Sequence, residues 1–254
     1  MVTIKSPREI DTMAEAGRIV AGTLALMRQE TKPGMSTEDL DALAEDFIRS
    51  HPGATPSFKG LYGFPKTLCT SINDEIVHGI PSPTRTLWEG NIISIDVGVL
   101  LDGLHADSAT TIGVGEVAPE TQRLLDVTQA SLAAGIAQAR ADNHVGDIGH
   151  AVQTVAEAAG FGVVRELVGH GIGEQFHEEP QIPNFGVPKR GRRLVEGMTI
   201  AIEPMITYGN YTTKTLTDKW TVVTHDGSLS AHFEHTVAVR QGEPRVLTMG
   251  EGEG

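Results

Sequence analysis

Three acids sit in stretches too apolar to hold a solvated charge. Asp96 follows Ile92-Ile93-Ser94-Ile95, Glu203 lies inside Thr199-Ile200-Ala201-Ile202-Glu203-Pro204-Met205-Ile206, and Glu234 stands between Phe233 and the β-prone run Thr236-Val237-Ala238-Val239. A buried carboxylate is costly unless it is paired or bound to a cation, and few arginines fall near these strands. Asp107 and His170, the latter held between Gly169 and Gly171, complete a set of four carboxylates and one imidazole. Rich in oxygen, with one nitrogen and no sulfur, the set suits two divalent ions such as Co, Mn, Fe or Zn. Four negative charges balance two dications. A bridging hydroxide is then the candidate nucleophile, because metals lower the pKa of bound water toward neutrality.

The element that must place two of these acids runs from Asn91 to Gly115. Two β-prone runs flank Asp102-Gly103, and Asp-Gly in that setting signals a tight primed turn with positive φ values. With those two residues at the turn centre, Gly98 sits opposite Asp107, and Asp96 shares their face as a diagonal neighbour of Asp107, roughly 7–8 Å away at Cα. Two like charges that close repel unless a positive charge lies between them; two solvated strand aspartates are the plain alternative.

The remaining elements follow from pattern. Ser6-Pro7-Arg8-Glu9 is a capping box that starts a helix at Pro7, with an apolar face through Ile10, Met13, Val20, Leu24 and Met27. Thr37 caps a second helix ending near His51-Pro52-Gly53. A loop rich in Gly, Pro and aromatic residues leads to a strand over 66–72, and His78 precedes a Gly-x-Pro turn. In the second half, helices start at Pro119, running to Arg140, and near Gly146 or Asp147, closed by Gly160. A strand spans 161–167, and 179–193 reads as a surface loop carrying the solvated basic run Lys189-Arg190-Gly191-Arg192-Arg193. One apolar strand covers 198–206. A second hairpin pairs 220–224 with 229–239 about Asp226-Gly227. Each half thus has two helices followed by strands bearing acids. The expected architecture is a single α+β domain over 1–254 with related halves at about 1–117 and 118–245 and a disordered tail at 246–254.

The bulk composition narrows the function classes. The net charge of -13 argues against a general nucleic-acid or acidic-membrane surface. A single cysteine, Cys69, rules out an intrachain disulfide and fits a reducing cytosol. No signal-like segment and no apolar run of about 18 residues is present, so a cytoplasmic enzyme is expected, with no membrane association.

The ligand settings IDVGV, HADSATT, GHGIG, IEPM and FEHTVAV, taken in order, resemble those of the type I methionine aminopeptidases. The resemblance extends through KSPREIDTMAEAG, TKPGMSTEDLD, GFPKTLCTSINDEIVHGIP and WTVVTHDGSLSAHFEHTVAV, nearly the whole chain. It implies the pita-bread fold, two pseudo-symmetric halves around a curved antiparallel sheet with helices outside. It also implies removal of the initiator methionine from nascent polypeptides when the second residue is small. On that resemblance Asp96 chelates one metal, His170 and Glu203 the other, and Asp107 and Glu234 bridge, with Glu203 also accepting the proton of the attacking water. His78 and His177 match two non-ligand histidines that hold the substrate amide and carbonyl. Leu61, Phe64, Cys69, Phe176 and Trp220 match the methionine pocket. Two positions depart from the family pattern: Phe58 stands where a small or thiol residue is common, and Leu61 where tyrosine is common. Asn73 and Ser230 match a monovalent-cation site of some relatives.

His170 to Glu203 is too short for the helical insertion of type II relatives. The absence of a zinc-finger extension points to the short bacterial form, and helix one beginning at residue 7 leaves no room for the extra domain of X-Pro peptidases. A monomer acting on nascent chains, with transient ribosome association, is the family expectation. X-Pro cleavage by the same fold, and an inactive binding module for protein tails, are the competing readings; loss of ligands would mark the latter, and all five are present.

Overall fold

The computed structural model describes residues 2–250. Helices α1 (Pro7–Glu30) and α2 (Thr37–Arg49) lead the chain. Strands β1 (Thr55–Pro56), β2 (Leu68–Ile72) and β3 (Glu75–Val77) precede a long pair, β4 (Ile92–Leu101) and β5 (Leu104–Gly113). The second half also opens on two helices, α3 (Pro119–Ile136) and α4 (Val145–Ala158). They are followed by β6 (Gly162–Val163), β7 (Gly169–Gly171), β8 (Glu178–Ile182), β9 (Thr199–Ile202) and β10 (Met205–Thr207). Short strands β11 (Thr213–Thr215), β12 (Val222–Thr224), β13 (Ser230–His232), β14 (His235–Ala238) and β15 (Arg245–Val246) complete it.

Local chemistry explains the starts. Ser6 accepts from the Glu9 amide while the Glu9 side chain accepts from the Ser6 amide, the reciprocal box that closes two free donors of α1. In α2 the cap is Ser36, boxed with Asp39, and Thr37 is already helical. Helix α3 stops at Ile136; bonds of the i to i+3 kind, Gln138 to Gly135 and Ala139 to Ile136, carry the chain on in tighter turns. The helices bury two separate apolar cores. Ile19, Leu24 and Leu40 pack with Ile93, Ile95 and Val97 of β4, while Leu124, Leu132 and Ile148 pack with Ile200, Ile202 and Ile206. A third cluster, with Phe58, Phe64, Cys69 and Phe176, lies against the end of α1 at Met13.

All strand pairings within the sheets are antiparallel. One sheet has the order β1-β4-β2 with β5 also on β4, and another has the order β15-β14-β9-β7-β8. The two meet where the Glu234 amide donates to the Ala109 carbonyl at 3.0 Å. Thr236 ties them again: its Oγ1 accepts from the Asp107 amide at 2.9 Å and donates to the Asp107 carbonyl at 2.8 Å.

Five expectations are corrected. The apolar run 198–206 is two strands, broken at Glu203-Pro204, because proline has no amide to donate to a ladder. The second hairpin does not form. Both edges of β12 are taken, by β11 and β3, and β13 pairs with β10 instead. The stretch read as a surface loop begins as β8 on β7, and the strand expected over 161–167 shrinks to β6. Residues 246–250 are ordered rather than a loose tail: Leu247 and Thr248 are buried, and the Leu247 amide donates to the Thr236 carbonyl at 2.8 Å. Leu247 anchors them by crossing α1 at Gly17, where a Cβ would lie 2.0 Å from its carbonyl oxygen. The final EGEG lies outside the described residues.

Candidate metal centre and adjoining pocket

The β4–β5 hairpin has the register that its turn requires. Asp102 and Gly103 take φ values of 48° and 82°, the primed geometry. Gly98 pairs with Asp107 and Asp96 with Ala109, so the two carboxylates are diagonal neighbours on one face. Gly98 leaves room above that face: a Cβ there would come within 2.9 Å of both the Phe176 ring and Ser57. On the other side of β4, Cys69 of β2 pairs with Asp96.

The other ligand candidates arrive from the second half. His170 is the middle residue of β7 and is buried. Its Nδ1 lies 2.8 Å from the Gly171 carbonyl oxygen. A carbonyl only accepts, so Nδ1 carries the proton and Nε2 is left as a lone pair pointing inward, the tautomer a metal requires. That Nε2 is 3.7 Å from Glu203 Oε1. The break between β9 and β10 aims Glu203, whose carbonyl accepts from Asn184 Nδ2 at 2.9 Å. Glu234 lies between β13 and β14, and its carbonyl accepts from the Ser108 hydroxyl.

These side chains converge as a cation site would. Coordinating atoms of Asp107, His170 and Glu234 all lie within 4.8 Å of one another. Oδ1 of Asp96, Oδ1 of Asp107 and Oε1 of Glu234 are buried with no hydrogen-bond partner. Among the described residues none of the four carboxylates pairs with a lysine or arginine. Burial raises every one of them. Asp96 is pushed up to about 7, and Asp107, Glu203 and Glu234 stand well above the usual carboxylate range, with neighbouring carboxylates adding to the rise. Four acids crowded without counter-charge, and an imidazole with its lone pair turned inward, fit divalent cations.

An apolar cavity opens beside the cluster. The same cavity wall includes the five ligand candidates, His78, His177, and the expected pocket residues Leu61, Phe64, Cys69, Phe176 and Trp220. Phe58, noted above for its departure from the family pattern, also lines it and stands edge-on to Phe176 at 5.3 Å between ring centroids. Phe64 and Trp220 form another edge-on pair at 5.1 Å. His78 is held at a positive φ of 62°, and burial pushes its imidazole down to about 4. His177 contacts the His170 ring at 4.4 Å. It also stacks on Tyr62 at 5.7 Å, with the Tyr62 hydroxyl 3.3 Å from its Nδ1.

Asn73 and Ser230 are brought together but do not line this cavity. The Ser230 amide donates to the Asn73 carbonyl at 2.9 Å, and the Asn73 side-chain oxygen accepts from the Ile92 amide at 3.0 Å. Two residues of the site were not picked out by sequence pattern. Tyr62 lies in an aromatic loop with no periodicity to mark it. His232 is buried two residues before Glu234, and its Nε2 lies 3.8 Å from Glu203 Oε2 and 3.9 Å from Glu234 Oε2. An extended chain puts alternate residues on one side, so the spacing to Glu234 was the available signal.

A carboxylate-rich cation site with one inward imidazole, at the floor of an apolar pocket in an α+β scaffold, defines the class of metallohydrolases. Comparison with known proteins narrows it. The sequence profile of metallopeptidase family M24 matches residues 11–241. A methionine aminopeptidase of Clostridium perfringens is 51% identical over 249 residues, spanning 98% of this chain and 99% of the relative. The crystal structure of methionine aminopeptidase from Rickettsia prowazekii superposes with a TM-score of 0.95 at 42% identity, covering 98% of this chain and 100% of that one. The chain belongs to metallopeptidase family M24, and within it to the methionine aminopeptidases. Its fold is the pita-bread fold, shared at 20% identity and a TM-score of 0.78 with the prolidase of Pyrococcus horikoshii, of which it covers 64%. Among the described residues no helix is long and apolar enough to cross a membrane.

Proposed function

We propose that this chain holds two divalent ions and removes N-terminal methionine from peptides whose second residue is small. Asp96, Asp107, His170, Glu203 and Glu234 would hold the ions, Asp96 serving one, His170 and Glu203 the other, and Asp107 and Glu234 both. The observation that carries the reading is the set of buried, unpartnered carboxylate oxygens facing an inward His170 Nε2 beside an apolar pocket. Divalent ions in such a site acidify a water and polarise a carbonyl, which is the chemistry that amide hydrolysis needs.

The chain's own residues do the rest. The methionine side chain fills the pocket between Phe64, Cys69, Phe176 and Trp220, an apolar lining suited to a flexible thioether. His177 donates to the scissile carbonyl oxygen and His78 holds the scissile amide, so charge developing on the oxygen meets a placed donor. Burial keeps both imidazoles neutral at working pH. Glu203 accepts the proton of the attacking water and returns it to the departing amine. Small second residues are the substrate range that the resemblance to type I methionine aminopeptidases implies, and nascent chains in the cytoplasm would be the source of such termini. Co, Mn, Fe and Zn all suit the ligand set. A monovalent cation at Asn73 and Ser230 would use the second lone pair of the Asn73 carbonyl. The enzyme acts as a monomer with at most transient ribosome contact.

Hydrolysis of Met-Ala-Ser, Met-Leu-Ser and Gly-Pro-Ala by the chelated protein, before and after adding back each metal, tests this directly. Metal-restored cleavage of Met-Ala-Ser alone is expected. Cleavage of Gly-Pro-Ala would move the chain to X-Pro chemistry, and no cleavage by any metal form would point to a binding module.

A further inference from the structure

His232 has no assigned part, yet it is buried beside the cluster with a ring nitrogen facing two of its carboxylates. It is 2% exposed. Its Nε2 is buried without a hydrogen-bond partner. Its backbone is fixed from two sides, by pairing with Met205 of β10 and by Thr111 of β5, whose hydroxyl accepts from the His232 amide and donates to the His232 carbonyl, both at 2.8 Å. On a backbone fixed this way the ring stays buried. A buried ring nitrogen left unsatisfied is costly, and a bond made in the working protein would remove that cost.

The acceptors in reach are carboxylate oxygens. Glu203 lies between two imidazoles: Oε1 faces His170 Nε2 at 3.7 Å, and Oε2 faces His232 Nε2 at 3.8 Å. Glu234 presents Oε2 to the same nitrogen at 3.9 Å while its Oε1 stays unpartnered. Each carboxylate therefore has one oxygen toward His232 and one free for the cluster. A carboxylate rotation of about 1 Å closes a normal hydrogen bond.

We propose that His232 is a positioning residue: its Nε2–H donates to Glu203 Oε2, with Glu234 Oε2 as the second acceptor, and so orients the opposite oxygen of each carboxylate toward the cations. The proposal rests on the two-ion reading above. Outer partners of this kind tune metal affinity by about 10–100-fold.

The test uses the chelated full chain and Zn²⁺ alone as probe, titrated by calorimetry against a competing chelator. His232→Phe keeps the ring volume and removes the donor; His232→Gln keeps a donor. Phe should weaken Zn²⁺ binding about 10–100-fold, Gln should recover most of it, and the metal-free variants should melt close to the parent. Zn²⁺ binding by His232→Phe equal to the parent overturns the proposal. Should that variant fail to fold, long-range ¹H–¹⁵N spectra of the Zn-loaded parent decide: a protonated Nε2 on His232 is expected. A bare Nε2, or one shifted by direct coordination, overturns the proposal. Absence of saturable Zn²⁺ binding in the parent itself would instead sink the two-ion reading.

Discussion

Glu203 is proposed to serve two demands at once, as a ligand and as the proton acceptor, and both would need an ionised carboxylate in a site whose burial favours the neutral acid. Glu203→Gln keeps the shape and removes the charge. Turnover should fall by at least about 100-fold with weakened metal binding; parent-like activity would remove Glu203 from the chemistry. His78 makes the contrasting case, since it lines the pocket and is proposed to hold the substrate amide rather than an ion. His78→Ala should lower kcat about 100-fold while metal content by atomic emission stays near that of the parent. Loss of metal there would mean the ligand set is wrong. Of the proposed ligand acids, Asp96, Glu203 and Glu234 were legible because each interrupts an apolar run, which is a local anomaly, and Asp107 because the hairpin register sets it diagonal to Asp96. His232 was not, because a histidine in a polar-looking Ser-Ala-His stretch is no anomaly until its burial is known. Tyr62 is likewise invisible: its stacking on His177 joins residues far apart in the chain.

At the scale of elements, the β4–β5 hairpin was legible down to the residue pair, because a two-residue turn fixes register and register fixes which side chains share a face. The pairing of β12 and β13 was not. A turn dipeptide between β-prone runs predicts a hairpin only if the strand edges are free, and here β3 and β11 reach β12 from elsewhere in the chain. The break at Glu203 hung on Pro204, whose missing amide outweighs the apolar pattern around it. A buried acid that does no chemistry shows how elements are held for the site. Asp41 of α2 is 4% exposed, and its Oδ1 accepts from the Thr67 and Leu68 amides at 2.9 and 2.8 Å, pinning the start of β2 and so the strand that bears Cys69. Asp41→Ala leaves two buried donors unpaired and should cost about 1–3 kcal/mol per donor left bare. Urea unfolding reads this as a lower midpoint; an unchanged midpoint would show that β2 does not need the anchor.

The whole molecule carries its metal centre as a stored electrostatic conflict. Burial holds Asp96 up at about 7 and keeps Asp107, Glu203 and Glu234 well above their ordinary range. The folded metal-free protein thus retains protons that the unfolded chain has released, and each such group makes stability fall as pH rises. The histidines act in the opposite sense. His78, His105, His170, His177 and His232 are all held down by burial. Below about pH 6.5 the unfolded chain takes up protons that the folded one refuses, so stability falls as pH drops. The two slopes offset one another in mild acid. Above about pH 6.5 the unfolded histidines become neutral too and their opposing slope fades, while Asp96, held up to about 7, is still giving up its proton and the other acids, raised by burial, carry the same sign. The chelated protein should therefore lose melting temperature as pH rises from about 6.5 to 7.5. Bound cations displace those protons, so the metal-loaded protein should hold its melting temperature across that span, and the gap between the two forms should widen with pH. At free metal about 100-fold above its dissociation constant the gap should reach about 5–10 °C. A chelated protein whose melting temperature stays flat or climbs over this window would mean that the four acids are not protonated in the metal-free fold, and that the conflict is relieved by something other than a cation.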